Sequence, residues 1–140
     1  MKMEKYKAEF EVPGEPKGKG RPRFSTKTGR AFTPQNTLYY ENLIGFQYKI
    51  TNKDKYCENP LEIRITCFYT IPKSFSKKKR ELALDGLIRP TKKVDIDNVA
   101  KIILDGLNKI AYRDDSQVVT LIVKKFYGEK PFVRVELEEV

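Results

Sequence analysis

From Leu61 to Ile71 the chain alternates without a break: Leu61, Ile63, Ile65, Cys67, Tyr69 and Ile71 interleave with Glu62, Arg64, Thr66, Phe68 and Thr70. A period of two held over that length is strand geometry, and it predicts a central strand ended by Pro72. The same alternation puts a first strand over Tyr6, Ala8, Phe10 and Val12, set against Lys5, Lys7, Glu9 and Glu11. It puts a last one over Val133, Val135 and Leu137, set against Arg134, Glu136 and Glu138. Val118 to Tyr127 reads as another strand, joined to the last through Gly128-Glu129-Lys130-Pro131.

Between the strands the period changes. Leu38, Leu43, Ile44 and Tyr48 predict a long helix over residues 34–53, with Pro34 suited to its first turn and Tyr39, Tyr40 and Phe46 adding aromatic weight. Ser74 to Leu84 reads as a short helix capped by Ser74 or Ser76, with Lys77, Lys78, Lys79 and Arg80 facing water or phosphate. Asp97 or Asn98 can cap a third helix, whose apolar stripe is Val99, Ile102, Ile103, Leu107 and Ile110. Strand, helix, strand, helix, helix, strand, strand predicts an α+β domain: one four-stranded mixed sheet with helices packed on it, over residues 1–140. Residues 13–30, rich in Gly, Pro, Lys and Arg with no apolar period, are expected to form a flexible basic loop, ordered on a partner.

Lys and Arg number 28 against 19 Asp and Glu, a net charge of +9 that argues for a phosphate-rich partner. Histidine is absent, which removes Ser-His-Asp and Cys-His nucleophiles, His-ligated zinc and imidazole bases together. Cys57 and Cys67 have no CxxC spacing, and Cys67 falls on the apolar side of its strand. No signal-peptide core opens the chain and no apolar run is long enough to span a bilayer, so a soluble, cytoplasmic protein is expected.

Against that basic background, Asp95, Asp97, Lys101 and the pair Asp114-Asp115 surround the third helix. A group of acids beside lysines in such a chain suggests carboxylates that hold a divalent metal against a polyanion. A turn at the helix mouth lets Asp95 and Asp97 converge, and Lys101 lies one helical turn beyond Asp97. Asp114 and Asp115 lie past the far end of a helix about 20 Å long. They reach the same ion only from a second subunit, or if the helix is shorter or tilted. Each residue also has a plainer reading: Asp97 as a helix cap, Lys101 as an i,i+4 partner of Asp97 or Asp105, and Asp114-Asp115 as a solvated turn. An EF-hand over these residues fails because Ala100 stands where glycine is required, and GKGRPR fails as a phosphate-binding glycine loop.

Asp95-Ile96-Asp97-Asn98, then Lys101, Asp105 and Leu107, then Asp114-Asp115-Ser116-Gln117, resemble the signature of the RusA-type Holliday junction resolvases. Gly14-x-Pro16 with Lys19, Arg21, Pro22 and Arg23 extends the resemblance toward the N-terminus. The resemblance implies a RusA-like fold and a homodimeric endodeoxyribonuclease, encoded by bacteria or phages, that cuts branched four-way DNA with Mg2+ or, as a substitute, Mn2+. It implies that Asp95, Asp97 and Asp115 bind the metal and that Lys101 is the essential lysine, with neither a membrane nor a small-molecule cofactor involved. A protonated lysine among carboxylates suits charge neutralisation at a reacting phosphate. Lys17, Lys19, Arg21, Arg23, Lys77, Lys78, Lys79, Arg80, Lys92 and Lys93 are then the expected DNA contacts. The competing readings are a non-catalytic nucleic-acid-binding protein of phage or prophage origin, and a scaffold that dimerises through the aromatic helix.

Overall fold

The computed structural model describes residues 4–20, 23–32 and 34–140. Three helices pack on a four-stranded sheet, giving the α+β architecture that the alternation predicts. The strands are β1 (Lys7–Pro13), β4 (Leu61–Thr70), β5 (Val118–Gly128) and β6 (Phe132–Glu139), in the spatial order β1-β6-β4-β5. β1 and β4 both run antiparallel to β6, whereas β4 and β5 are parallel, so the sheet is mixed. β5 and β6 follow one another through residues 129–131 yet are not neighbours, because β4 lies between them.

The inward face of β4 carries Leu61, Ile63, Ile65, Cys67 and Tyr69, each almost fully buried. Phe10 and Val12 of β1 and Val133, Val135 and Leu137 of β6 complete that layer. Helix α1 (Gln35–Asn52) lies against β1 and buries Tyr40, Ile44 and Tyr48, while Leu38, expected inside, is substantially exposed. Helix α2 (Lys77–Leu84) is capped by Ser76, whose hydroxyl accepts from the Lys79 amide at 3.2 Å.

Helix α3 (Ile96–Leu107) is strongly two-faced: Val99, Ile102, Ile103 and Leu107 are fully buried, and burial of each such side chain contributes about 1.5–3 kcal/mol. Its cap is Asp95, two residues earlier than expected, and it ends before Ile110. α1 and α3 cross at Gly45 and Gly106, where a Cβ on Gly106 would lie 2.9 Å from that of Ile44. That close approach fixes α3 across the sheet and sets where its polar flank points.

The basic segment departs from the expected loop. Within it Arg23–Phe24 (β2) pairs with Ala31–Phe32 (β3), just past its end, as a two-stranded ribbon. Upstream, the Lys19 amide donates to the Asn98 carbonyl at 2.9 Å, and the Gly20 amide to the Thr37 hydroxyl at 3.1 Å. Gly18 fits so tightly against the lead-in to α3 that a Cβ would collide with Val94. Apolar periodicity misses such a segment because backbone hydrogen bonds, glycine contacts and the Lys19 ion pairs, rather than an alternating apolar face, hold it.

Candidate functional site

The mouth of α3 is built by an extended lead-in. Asp95 has β-region backbone angles and begins the helix, but its carboxylate makes no capping hydrogen bond. Asp97 stands in the first turn, where the positive end of the helix dipole favours an acid. Both side chains are exposed, and no ion pair among the described residues uses either. The capping role that would explain Asp97 without function therefore falls elsewhere, and two acids at the helix entrance are left facing solvent.

Lys101 lies one turn on, with its ammonium 3.8 Å from Asp105. Asp105 is shared: its other oxygen is 3.0 Å from Lys19, which also binds Glu41 at 3.0 Å. Partial burial works to lower the Lys19 pKa, and hydrogen bonds to Glu41 and Asp105 outweigh it, so the net shift is upward. Lys19 thus clamps the basic segment to α1 and α3 and has less charge to offer a phosphate than its neighbours.

At the other end of α3, Asp114 and Asp115 separate in role. The Asp114 carboxylate accepts from the Ser116 amide at 3.1 Å while the Gln117 side chain accepts from the Asp114 amide at 2.9 Å, a reciprocal cap on the 3-10 turn Asp115–Gln117. Hydrogen bonds from Ser116 hold the Asp114 pKa below the usual carboxylate value. Asp115 has no such task.

The acids do not meet within one chain. Asp115 leads into the start of β5 at Val118, whereas Lys92, just before the α3 mouth, receives on its carbonyl the ammonium of Lys125 at 2.8 Å. Val118 and Lys125 are roughly 23 Å apart along the strand. α3 itself is twelve residues long, about 18 Å. Among the described residues of one chain, no three His, Cys, Asp or Glu side chains form a group able to hold a metal. Among the described residues of one chain, Asp95 and Asp97 are thus not joined by a third such side chain.

Cations surround the α3 mouth more densely than the sequence suggests. The Lys92 and Lys125 ammonium groups stand over the Tyr69 ring at 5.3 and 5.5 Å, and the Arg89 guanidinium over Phe126 at 3.9 Å. Arg89 and Lys125 are absent from the residues expected to touch DNA; the Lys124-Lys125 pair breaking an apolar strand was the available signal. Lys93 is exposed beside them, Lys77, Lys78 and Arg80 are exposed on α2, and Lys79 lies 4.2 Å over Phe75. Lys17 is exposed near the Tyr40 ring. Arg21 lies outside the described residues, and Arg23 is placed by its backbone in β2.

A mixed-sheet domain with spare carboxylates at a helix mouth and stacked cations beside them has the features of a protein that handles a polyanion. Residues 13–138 match the family model described as Endodeoxyribonuclease RusA, and the chain belongs to that family of nucleases. Over 135 residues it is 40% identical to the protein called "Uncharacterized protein YqaN" of Bacillus subtilis (strain 168), covering 94% of this chain and 95% of that one. Over 93 residues it is 37% identical to "Crossover junction endodeoxyribonuclease rusA" of Lactococcus phage r1t, covering 64% of each. No helix among the described residues is long and apolar enough to cross a membrane.

Proposed function

We propose that this protein is a structure-specific endodeoxyribonuclease that resolves four-way DNA junctions by paired phosphodiester cleavage, with Mg2+ or Mn2+ as cofactor. The observation that carries the reading is the family match across residues 13–138 together with the uncommitted carboxylates of Asp95 and Asp97. A bound Mg2+ would supply a water of lowered pKa and relieve charge on the phosphate oxygens. Asp95, Asp97 and Asp115 are the proposed ligands, and because a single chain does not bring them together, a homodimer is part of the proposal. Two incisions in opposing strands also call for two sites.

Lys101, one helical turn beyond Asp97, keeps an exposed ammonium 3.8 Å from Asp105 that can neutralise charge building on a phosphate. Lys17, Lys77, Lys78, Lys79, Arg80, Lys92 and Lys93, with Arg21 and Arg23, position the DNA backbone, and Arg89 and Lys125 join them. The protein acts in the cytoplasm, where its DNA lies.

The test is cleavage of a synthetic four-way junction and of linear duplex, with and without Mg2+. Symmetric paired nicks in the junction alone, lowered about 100-fold or more by Asp97→Asn with junction binding retained, are the expected result. One observation favours a non-catalytic nucleic-acid-binding protein instead: the missing third ligand within the chain. That reading requires binding indifferent to Mg2+ and no nicks under any condition.

A further inference from the structure

We propose that Lys19 is a positioning residue for Lys101: by taking up the charge of Asp105, which both lysines share, it leaves the Lys101 ammonium free to swing to the mouth of α3, where a phosphate would react. The inference rests on the resolvase reading for the role of Lys101, but the link between the two lysines is argued from contacts within one chain.

Lys101 stands four residues after Asp97 and four before Asp105, so an acid lies one helical turn away on either side. Side chains on a helix lean toward its N-terminus, and at this spacing the order acid then lysine is the favoured one. The helix by itself therefore favours Lys101 over Asp97. Lys101 pairs with Asp105 instead, at 3.8 Å, and its side chain is 61% exposed. The pair is loose.

The looseness has a cause in the second cation on the same carboxylate. The Lys19 ammonium lies 3.0 Å from Asp105 Oδ2 and 3.0 Å from Glu41. The side chains of Lys19, Asp105 and Glu41 are 22%, 22% and 15% exposed, so water and salt screen their attraction less than that of Lys101. The backbone fixes Lys19 as well: its amide donates to the Asn98 carbonyl at 2.9 Å, and Gly18 abuts Val94. Two cations and two carboxylates balance in this group, and Lys19 holds the tighter share. Asp105 restrains Lys101 only with the oxygen that Lys19 leaves.

Without Lys19, the two carboxylates are left to a single cation. The pull of Asp105 on Lys101 rises as its competitor is lost, and the ammonium is drawn toward the C-terminal end of α3. Charge on a reacting phosphate develops at the other end, beside Asp97. A cation withdrawn by one helical turn, about 5.4 Å, stabilises that charge much less.

Two rival roles for Lys19 give different outcomes. A plain structural clamp loses activity only as far as it loses fold, and a second substitution in the same group adds to the damage. A direct phosphate contact weakens junction binding and lowers its salt dependence. A positioning residue leaves binding alone, slows the cleavage step, and is relieved by removing the acid that pulls.

Three measurements on full-chain variants with wild-type circular dichroism decide the matter: single-turnover junction cleavage at saturating protein, junction affinity, and acetylation of Lys101 by a limiting amine-reactive ester. The acetylation is read by mass spectrometry without DNA or metal. Lys19→Met should cleave about 10-fold more slowly with affinity within about twofold of wild type, and acetylate at Lys101 about threefold more slowly. Lys19→Arg, which keeps the cation, should retain most of both rates. Lys19→Met/Asp105→Asn should recover most of both losses. A double variant no faster than Lys19→Met, an unchanged acetylation rate in Lys19→Met, or a loss confined to affinity overturns the proposal. If wild type cuts no junction while the acetylation pattern holds, the resolvase reading fails and the restraint of Lys101 through Asp105 and Lys19 stands.

Discussion

The Lys19 ammonium lies 3.0 Å from Asp105 Oδ2, and this contact ties a segment with no apolar period to the helix that carries the proposed site. Glu41 of α1 shares the same ammonium, and Lys101 approaches the remaining oxygen of Asp105. Removing the cation leaves two partly buried acids facing each other. Lys19→Met is expected to cost about 1 kcal/mol, more than an exposed pair, and to raise proteolysis within residues 13–30. Urea denaturation and limited trypsin digestion check both; a midpoint equal to wild type counts against the clamp.

Gly106 tests the crossing that aims α3. A methyl group there meets the Ile44 side chain at 2.9–3.1 Å, below normal contact, while helix propensity gains up to about 1 kcal/mol. Overpacking of about 1–3 kcal/mol outweighs the gain, so Gly106→Ala should lower stability and, by tilting α3, weaken junction cleavage. A more stable protein by thermal denaturation would show that the helices separate freely.

How far the sequence could be read follows from which forces placed each part. β1, β4 and β6 were legible because one buried face imposes a period of two, and α3 because its stripe is wide and apolar. β5 was found as a strand, but its neighbour was not, since Val118–Gly128 carries no signal that it pairs in parallel with β4 while β6 takes the other side of that strand. The Asp95 cap was missed because capping preferences score a side-chain hydrogen bond that Asp95 does not make. Within the acidic group, spacing could not tell that Asp114 serves its own turn while Asp115 does not. That distinction depends on the rotamer of one carboxylate.

A partly buried hydroxyl relay joins the residue before β1 to α1. Tyr48 donates to the Lys55 carbonyl at 2.6 Å and takes part in a 2.7 Å bond with Tyr6, which is satisfied when Tyr6 donates. Burial is the first cause of the raised pKa of both phenols, so they stay protonated at neutral pH. Tyr48→Phe leaves a carbonyl and a hydroxyl without partners and should cost about 1–3 kcal/mol; Tyr6→Phe leaves only a spare lone pair and should cost about 1 kcal/mol or less. Chemical denaturation that ranks the two the other way would assign the donors differently.

Salt dependence separates the cations that are free from the one that is spent. If six phosphate contacts form, log K for junction binding should fall against log salt with a slope of about −5. Lys78→Ala and Arg80→Ala, both exposed on α2, should each reduce the magnitude of that slope by about 1. A slope unchanged in both would remove α2 from the DNA path. Fluorescence anisotropy with a labelled junction across a salt series measures all three proteins.

Asp114 gives a pH signature that Asp115 should lack. Its carboxylate is held by the Ser116 amide, which favours the charged form and places its folded pKa below the ordinary 3.8. A group whose pKa is depressed on folding contributes stability above its unfolded pKa and loses it as pH falls through the folded value. Asp114→Ala should therefore be less stable than wild type at pH 5 to 7, by a margin that is flat in that range and shrinks steadily below about pH 4. Its cleavage of a junction under conditions where the protein is folded should stay close to wild type, whereas Asp115→Ala should keep stability and lose cleavage by about 100-fold. Thermal melts from pH 3 to 7 beside a nicking assay read both halves of the contrast, and equal losses of activity in the two variants would mean that the pair acts together at the metal.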